Sequence, residues 1–237
     1  MWTISQLKDN GKANFKKNYL YSVIAAVVLG VCDYAVTGAT SRSTSSTDLS
    51  EIQAAVNEMD PALLITLIVA IISVVSVVLC IGLAVRIFFF DPMLVGVRRF
   101  FITNRVKEKA ELTELIYGLK NNFWGNVLTM FLMRLYQYLW TCLFIIPGII
   151  KGYSYRLVPY ILADNQGLSG NDAITLSRKM MNGNKWKAFV YDLSFIGWFI
   201  LTACTCGILG LFYVAPYKAA SDAEFYTAVK ETYNPVQ

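Results

Sequence analysis

Three cationic side chains lie inside long apolar runs, where an ionisable residue in a membrane marks either a functional site or a buried ion pair. They are Arg134, Lys151 and Arg156. Counted along antiparallel helices, Arg134 and Arg156 are expected roughly 10–15 Å below one membrane surface, with Lys151 deeper. Asp192, in a later apolar run, is the one carboxylate that the sequence predicts at similar depth. These four residues form the core of the candidate site.

The charges have two interpretations. In the structural one, Asp192 neutralises Arg156 or Arg134 and holds together the helices that carry them. In the functional one, the three cations attract an anion, either a lipid phosphate or a carboxylated solute. Tyr153 and Tyr155 are the candidate hydroxyl donors to such a ligand, although aromatic side chains also commonly fill helix interfaces.

Catalytic chemistry has little support in the residues. The chain has no histidine, which removes the commonest general base and metal ligand at neutral pH. Cys204-x-Cys206 lacks the second pair of ligands that a zinc site needs. No nucleophile elbow, phosphate-binding loop, zinc-protease or dinucleotide motif is present. We predict a protein that is not an enzyme and holds no metal or cofactor, with catalysis by Asp192 and a tyrosine or lysine as the alternative.

Composition indicates a membrane protein. Hydrophobic residues make up 56% of the chain and charged residues only 16%, against about 25% charged residues in a typical soluble protein. The apolar residues come in runs long enough to enter a bilayer. The net charge is +5, but the basic residues fall between the apolar runs, where membrane topology requires them. Nucleic-acid binding is therefore not predicted.

The apolar runs predict an all-α fold with six transmembrane helices in three hairpins. The first hairpin pairs Tyr19–Val36 with Pro61–Phe90, and Asp91-Pro92 is expected to end its second helix because the residue before proline disfavours helix. Residues 124–163 and 186–217 are each too long for one span. Turns are expected within them at Pro147-Gly148 and Cys206-Gly207.

The distribution of basic residues predicts the orientation. Lysine and arginine number four before the first span, one in the loop 37–60, six in 91–123, four in 164–187 and two in 216–237. With six spans, all the rich segments lie on one side, which the positive-inside rule makes the cytoplasmic side. Four spans would turn residues 164–187 outward. We therefore predict a multi-pass protein of the cell membrane with both termini in the cytoplasm.

The chain divides into one membrane domain of seven parts, and a loose threefold repeat accompanies the three hairpins. An asparagine and an aromatic residue precede each hairpin, and a proline is expected to close it. In order, the predicted parts are an interfacial helix 1–18, hairpin one 19–92 with an outer loop 37–60, a cytoplasmic amphipathic segment 93–123, hairpin two 124–163, a cytoplasmic interfacial helix 164–187, hairpin three 188–217 and a cytoplasmic tail 218–237.

Four segments of the chain have a distinctive sequence. They are MWTISQLKDNGKANFKKNY at the N-terminus, IIPGIIKGYSY from Ile145, VPYILADNQGLSGNDAITLSRKMMNGNKW from Val158 and DLSFIGW from Asp192. These segments resemble an uncharacterised bacterial integral membrane family, domain of unknown function 975. The resemblance implies a plasma-membrane protein and offers no catalytic residues to carry over. The central and last hairpins also resemble, more distantly, membrane domains attached to some bacterial glycerophosphodiesterases.

The leading functional hypothesis is a non-enzymatic binding or transport component for an anionic lipid or small solute. Its partners would be membrane lipids, chiefly anionic ones, because lysine-rich amphipathic segments favour such headgroups. The alternative is a membrane scaffold or accessory subunit that recruits protein partners, including a second copy of the chain.

Overall fold

Every regular element in the described part of the chain is helical, so the all-α prediction is confirmed. The computed structural model describes residues 2–37, 60–107, 110–165, 167–168 and 170–233, with the backbone alone for 30–37 and for Leu67. Nearly all of the predicted outer loop 37–60 lies outside these residues.

Twelve α-helices are found in the described residues, together with a 3-10 turn at Leu112–Ile116 and π-helical turns at Arg86–Phe90 and Gly210–Val214. The helices are α1 (Ile4–Lys17), α2 (Tyr19–Thr37), α3 (Pro61–Val85), α4 (Asp91–Val106), α5 (Tyr117–Lys120), α6 (Phe123–Leu143), α7 (Ile145–Tyr155), α8 (Val158–Asp164), α9 (Asn171–Met180), α10 (Lys185–Leu193), α11 (Ile196–Cys204) and α12 (Ala215–Tyr233).

The prediction that Asp91-Pro92 ends a helix is wrong, because α3 and α4 form one continuous helix of 46 residues. A π-helical turn at Arg86–Phe90 joins them. The Asp91 N–H donates to the Arg86 carbonyl, five residues back, and this wider turn accommodates the proline that follows. The same device recurs before Pro216, where the Ala215 N–H donates to the Gly210 carbonyl.

Helix α3 is apolar throughout and almost wholly exposed. It contains no charged residue, and each described side chain is exposed except that of Leu64, which is half-buried. Its 25 residues extend about 37 Å, more than the roughly 30 Å of a bilayer's hydrocarbon core. In the described residues, two helices have the length and apolar character to cross a membrane, Pro61–Val106 and Lys185–Cys204.

The second and third predicted hairpins both reverse direction, although one turn is displaced. The chain turns at Phe144, which is extended, and not at Pro147-Gly148, which falls in the first turn of α7 where proline is tolerated. Gln137 donates to the Gly148 carbonyl at 2.8 Å across this hairpin. The turn predicted at Cys206-Gly207 is confirmed, because both residues have positive φ, 51° and 86°.

The N-terminal helix and the predicted tail are parts of the protein core. Leu7, Gly11 and Phe15 of α1 are buried, and a Cβ at Gly11 would lie 2.8 Å from Ser221 Cα of α12. The apolar side of α1 is thus occupied by protein, which leaves its lysine side exposed. Residues 218–233 belong to α12, a helix with ten buried residues, so the prediction of a tail there is wrong.

The molecule therefore has two contrasting regions. The core region consists of α1, α4, α8, α9 and α12, which carry most of the buried side chains. The apolar shell consists of α3, α11, the C-terminal half of α6 and the N-terminal half of α7, whose large hydrophobic side chains are exposed. The charged candidate residues lie where these two regions meet.

Candidate functional site

Arg156 is at the centre of a closed ion network. Its Nη1 and Nη2 atoms donate to the two carboxylate oxygens of Asp192 at 2.7 and 3.0 Å. The Nη2 atom also donates to Oδ1 of Asp222 at 2.9 Å. The predicted pairing of Asp192 with Arg156 is confirmed, and Asp222 is a second carboxylate partner that the sequence did not indicate.

Lys218 completes the network. Its Nζ lies 3.0 Å from Asp192 Oδ1 and also contacts Asp222, which in addition accepts a hydrogen bond of 3.0 Å from the Tyr191 hydroxyl. Arg156 and Lys218 both lie over the Tyr191 ring. Two cations thus face two carboxylates, and the network is electrically neutral.

The network controls the charge of Asp222. Burial alone would raise the pKa of this carboxyl, but the charges of Lys218, Arg156 and Arg98 outweigh it and lower the pKa to about 2. Asp222 is therefore ionised at neutral pH. The sequence signal that could have found it is the Lys218–Asp222 spacing of four residues, which places both on one face of a helix.

Arg134 has a carboxylate partner of its own and does not meet Asp192. Its Nε donates to Asp91 Oδ2 at 3.0 Å and its Nη2 donates to Oδ1 of the same residue, while the side chain of Asp91 is almost fully buried. Asp91 was interpreted from the sequence as a helix terminator, and its place in a continuous helix makes it an inward-facing residue. Arg134 and Arg156 line one small cavity of about 250 Å³, but both are already paired.

Tyr153 and Tyr155 lie beside this paired region. Tyr153 packs edge to face against Phe189 at 6.3 Å between centroids and lines a shallow cavity with Asp192. Tyr155 is buried and lines the cavity shared by Arg134 and Arg156. Both tyrosines therefore lie next to the ion pairs.

Lys151 faces a different site, named here the basic cleft. This cleft has a volume of about 350 Å³, and its lining residues are Lys151, Ser154, Thr175, Arg178, Lys179, Asn182 and Lys185. Lys151 Nζ also lies 4.4 Å from the centroid of the Trp140 ring. The cleft contains four cations and no carboxylate, and none of the four has an acidic partner within 4 Å in the described residues.

Three elements bring the cleft residues together. Lys151 and Ser154 lie on α7, and the Ser177 hydroxyl of α9 donates to the Ser154 carbonyl at 2.8 Å. The single helix predicted within residues 164–187 is interrupted, because α9 ends at Met180. A turn with Gly183 at φ 78° follows, and the next helix starts at Lys185. This reversal is the reason that Lys185 lies beside Arg178.

Comparison with known proteins gives a family for the part of the chain that holds these sites. Residues 143–233 match the family model described as "Protein of unknown function (DUF975)". The match confirms the resemblance noted in the sequence over that range, which includes the ion network around Arg156 and the whole basic cleft. No curated protein and no solved structure matches the chain.

Proposed function

We propose that this chain, which over residues 143–233 has the sequence of the DUF975 family, is a helical membrane protein whose basic cleft binds anionic headgroups. The observation that carries the proposal is the set of four cations to which the described part of the chain offers no acidic partner. Unpaired positive charges of this kind attract anionic lipid, at about 1 kcal/mol for each lysine or arginine near a charged membrane surface.

We place the proposed ligand site away from Arg134 and Arg156. Both guanidinium groups have bidentate carboxylate partners, so their charges are neutralised within the protein. Lys151 is the predicted site residue that keeps an uncompensated charge, and Arg178, Lys179 and Lys185 supply the rest of the site. The ligand class stays the same, namely a phosphate or carboxylate group on a lipid or a small solute.

The exposed side chains of the apolar shell are evidence for a topology in which the three hairpins enter the membrane from one side. Both termini lie on that side. Exposed apolar residues extend to the turns of the second and third hairpins, including Phe144 and Ile208. Among the basic residues of the cleft, Lys185 begins α10, at the end of the third hairpin remote from its turn. Arg178 and Lys179 lie on α9, between the second and third hairpins, and Lys151 lies within α7. In this arrangement the cleft faces the cytoplasmic headgroups, where anionic lipid would approach it.

The native cysteines offer a test of this topology. Cys142 and Cys206 lie beside the two turns and are exposed, whereas Cys80 is the twentieth of the 25 residues of α3, about 29 Å along the helix from Pro61. In variants that keep one cysteine each, six complete spans predict that a membrane-impermeant maleimide labels Cys142 and Cys206 from outside intact cells and leaves Cys80 unlabelled. Labelling of neither turn would show that these hairpins end inside the bilayer.

The cleft itself is tested by removing two of its charges. We expect Arg178→Gln/Lys185→Gln to weaken binding of phosphatidylglycerol about tenfold or more, as measured by native mass spectrometry of the full chain. Lys12→Gln/Lys16→Gln removes the same charge from the exposed side of α1 and should leave binding unchanged. Equal losses of phosphatidylglycerol binding in both variants would show that the cleft is not the lipid-binding site. Isothermal titration calorimetry with inorganic phosphate tests whether the cleft binds a free anion. Binding of phosphate would indicate a free anion as the ligand, and its absence would indicate a lipid headgroup.

A scaffold function is the second candidate, and the closed ion network favours it. A neutral network of Arg156, Lys218, Asp192 and Asp222 stabilises the packing of α7, α10 and α12 and leaves no free charge for a ligand at that point. A scaffold predicts that the purified protein carries a stoichiometric protein partner, and that the cleft variant loses this partner while keeping its lipid.

A further inference from the structure

An apolar groove with a charged end is lined by a set of residues separate from those of the basic cleft. It has a volume of about 510 Å³ and runs between α2, α11 and the segment from Gly207 into α12. Ala26, Leu29, Phe199, Leu211 and Val214 form its apolar walls. Arg98, Lys218 and Asp222 form its charged end. One wall runs from Gly207 to Asp222, about 20 Å along a helix.

Arg98 is the feature that distinguishes this groove from an ordinary gap between helices. Its Nη1 donates to the Tyr160 hydroxyl at 3.0 Å, and its guanidinium lies 5.0 Å from the centroid of that ring. The Nε atom is buried and has no hydrogen-bond partner. No carboxylate of the described residues lies within 4 Å of the group. An unsatisfied buried donor on a charged group is costly.

The charges around the groove leave an excess of one positive charge at its end. Arg156 and Lys218 already balance Asp192 and Asp222, so Arg98 is not compensated. Lys8, whose Nζ lies 4.5 Å from the centroid of the Phe195 ring next to Lys218, adds a further cation nearby. An anion at Arg98 would therefore neutralise charge that the protein leaves unbalanced.

We propose that this groove binds a single-chain anionic amphiphile, with its carboxylate at Arg98 and its hydrocarbon chain along the apolar walls towards Gly207. The volume of about 510 Å³ and the wall of about 20 Å suit one hydrocarbon chain, and the charge requires an anionic head. The proposal concerns a second site and does not rest on the basic cleft, since no residue is shared between them.

The shape of the site is tested with palmitate and with hexadecanol, its neutral counterpart of the same chain length, on the full chain in phosphatidylcholine nanodiscs at pH 8. We expect the unmodified protein to bind palmitate at least tenfold more tightly than hexadecanol. Leu211→Trp fills the groove and should weaken both ligands at least tenfold. Phe212→Trp changes a neighbouring exposed residue that does not line the groove, and it should bind both ligands as the unmodified protein does.

The charge of the site is tested with Arg98→Gln. This variant should lose the preference for palmitate and still bind hexadecanol, and the retained binding of hexadecanol shows that the groove is folded. Arg178→Gln/Lys185→Gln should bind palmitate normally, which separates this site from the basic cleft. The proposal is overturned if the unmodified protein binds both ligands equally, if Leu211→Trp has no effect, or if the cleft variant loses palmitate.

Discussion

Helices α3 and α12 are built in opposite ways and occupy opposite environments. Helix α3 has no charged residue among its 25 and is exposed along its length. Helix α12 carries five charged side chains in 19 residues, yet ten of its residues are buried. A protein folded in water would place these two helices the other way round. This inversion is the pattern expected where the medium around α3 is hydrocarbon, because a lipid-exposed helix needs apolar side chains on every face.

The charges of the core region are tolerated because each buried carboxylate has several donors. Glu224, which is 4% exposed, accepts hydrogen bonds from Asn14 at 2.8 Å and from Arg105 at 2.9 Å. Asp91 accepts two from Arg134. Buried charges are stable only when they are paired in this way. The core region is thus fixed by specific polar contacts, whereas the described side chains of α3 in the apolar shell are almost all exposed.

The largest expected effect comes from breaking the ion network. Arg156→Leu removes the group that bridges two carboxylates, and the loss of one partner of a buried pair costs about 3–5 kcal/mol. We expect the free energy of unfolding in detergent to fall by that amount. Val78→Leu in the apolar shell should change it by less than about 0.5 kcal/mol. Similar stability of the two variants would contradict the contrast between the regions.

The sequence was sufficient for the features that depend on local pattern. Long apolar runs predicted the helices, glycine at Cys206-Gly207 predicted a turn, and charge at depth predicted that Asp192 pairs with Arg156 or Arg134. These inferences need only the periodicity of one segment and the cost of an unpaired charge. The displaced turn at Phe144 shows the limit of this approach, since proline within the first turn of a helix and proline in a loop have the same local signature.

The features that the sequence did not reveal depend on rotation about a helix and on contacts distant in the chain. Lys151 and Arg156 are five residues apart, which on a helix of 3.6 residues per turn separates their directions by roughly 140°. They therefore face different sites, although the sequence suggested one. Asp222 was missed because its partner Arg156 lies 66 residues away. The tertiary fold alone brings these two residues together.

A matched pair of glycines sharpens the comparison between the regions. In the core region, a Cβ at Gly96 would overlap the carbonyl oxygen of Leu115, which is backbone and cannot rotate away. Gly96→Ala should therefore destabilise the protein by up to about 3 kcal/mol. At Gly82 of α3 no other atom lies within 4 Å of an added Cβ. Gly82→Ala should be neutral or should raise the stability by up to about 1 kcal/mol.

Thermal unfolding of both glycine variants in the same detergent checks this pair. If Gly82→Ala proves as destabilising as Gly96→Ala, then α3 packs against a surface in the folded protein, and the description of α3 as lipid-facing is wrong.

The smallest effect concerns the pH range over which the core region is stable. The pKa of Asp222 is lowered from 3.8 in its ordinary state to about 2 in the folded protein. Because the folded pKa is the lower one, the stabilisation is complete above the ordinary value and is lost as pH falls through the folded value. The loss therefore occurs between about pH 4 and pH 2 and amounts to about 2 kcal/mol.

Asp222→Asn cannot titrate, so its stability should be lower at pH 7 and should fall less over this range. Unfolding curves of both proteins at several pH values measure this difference, and an equal loss in the two would assign the acid sensitivity to carboxylates other than Asp222.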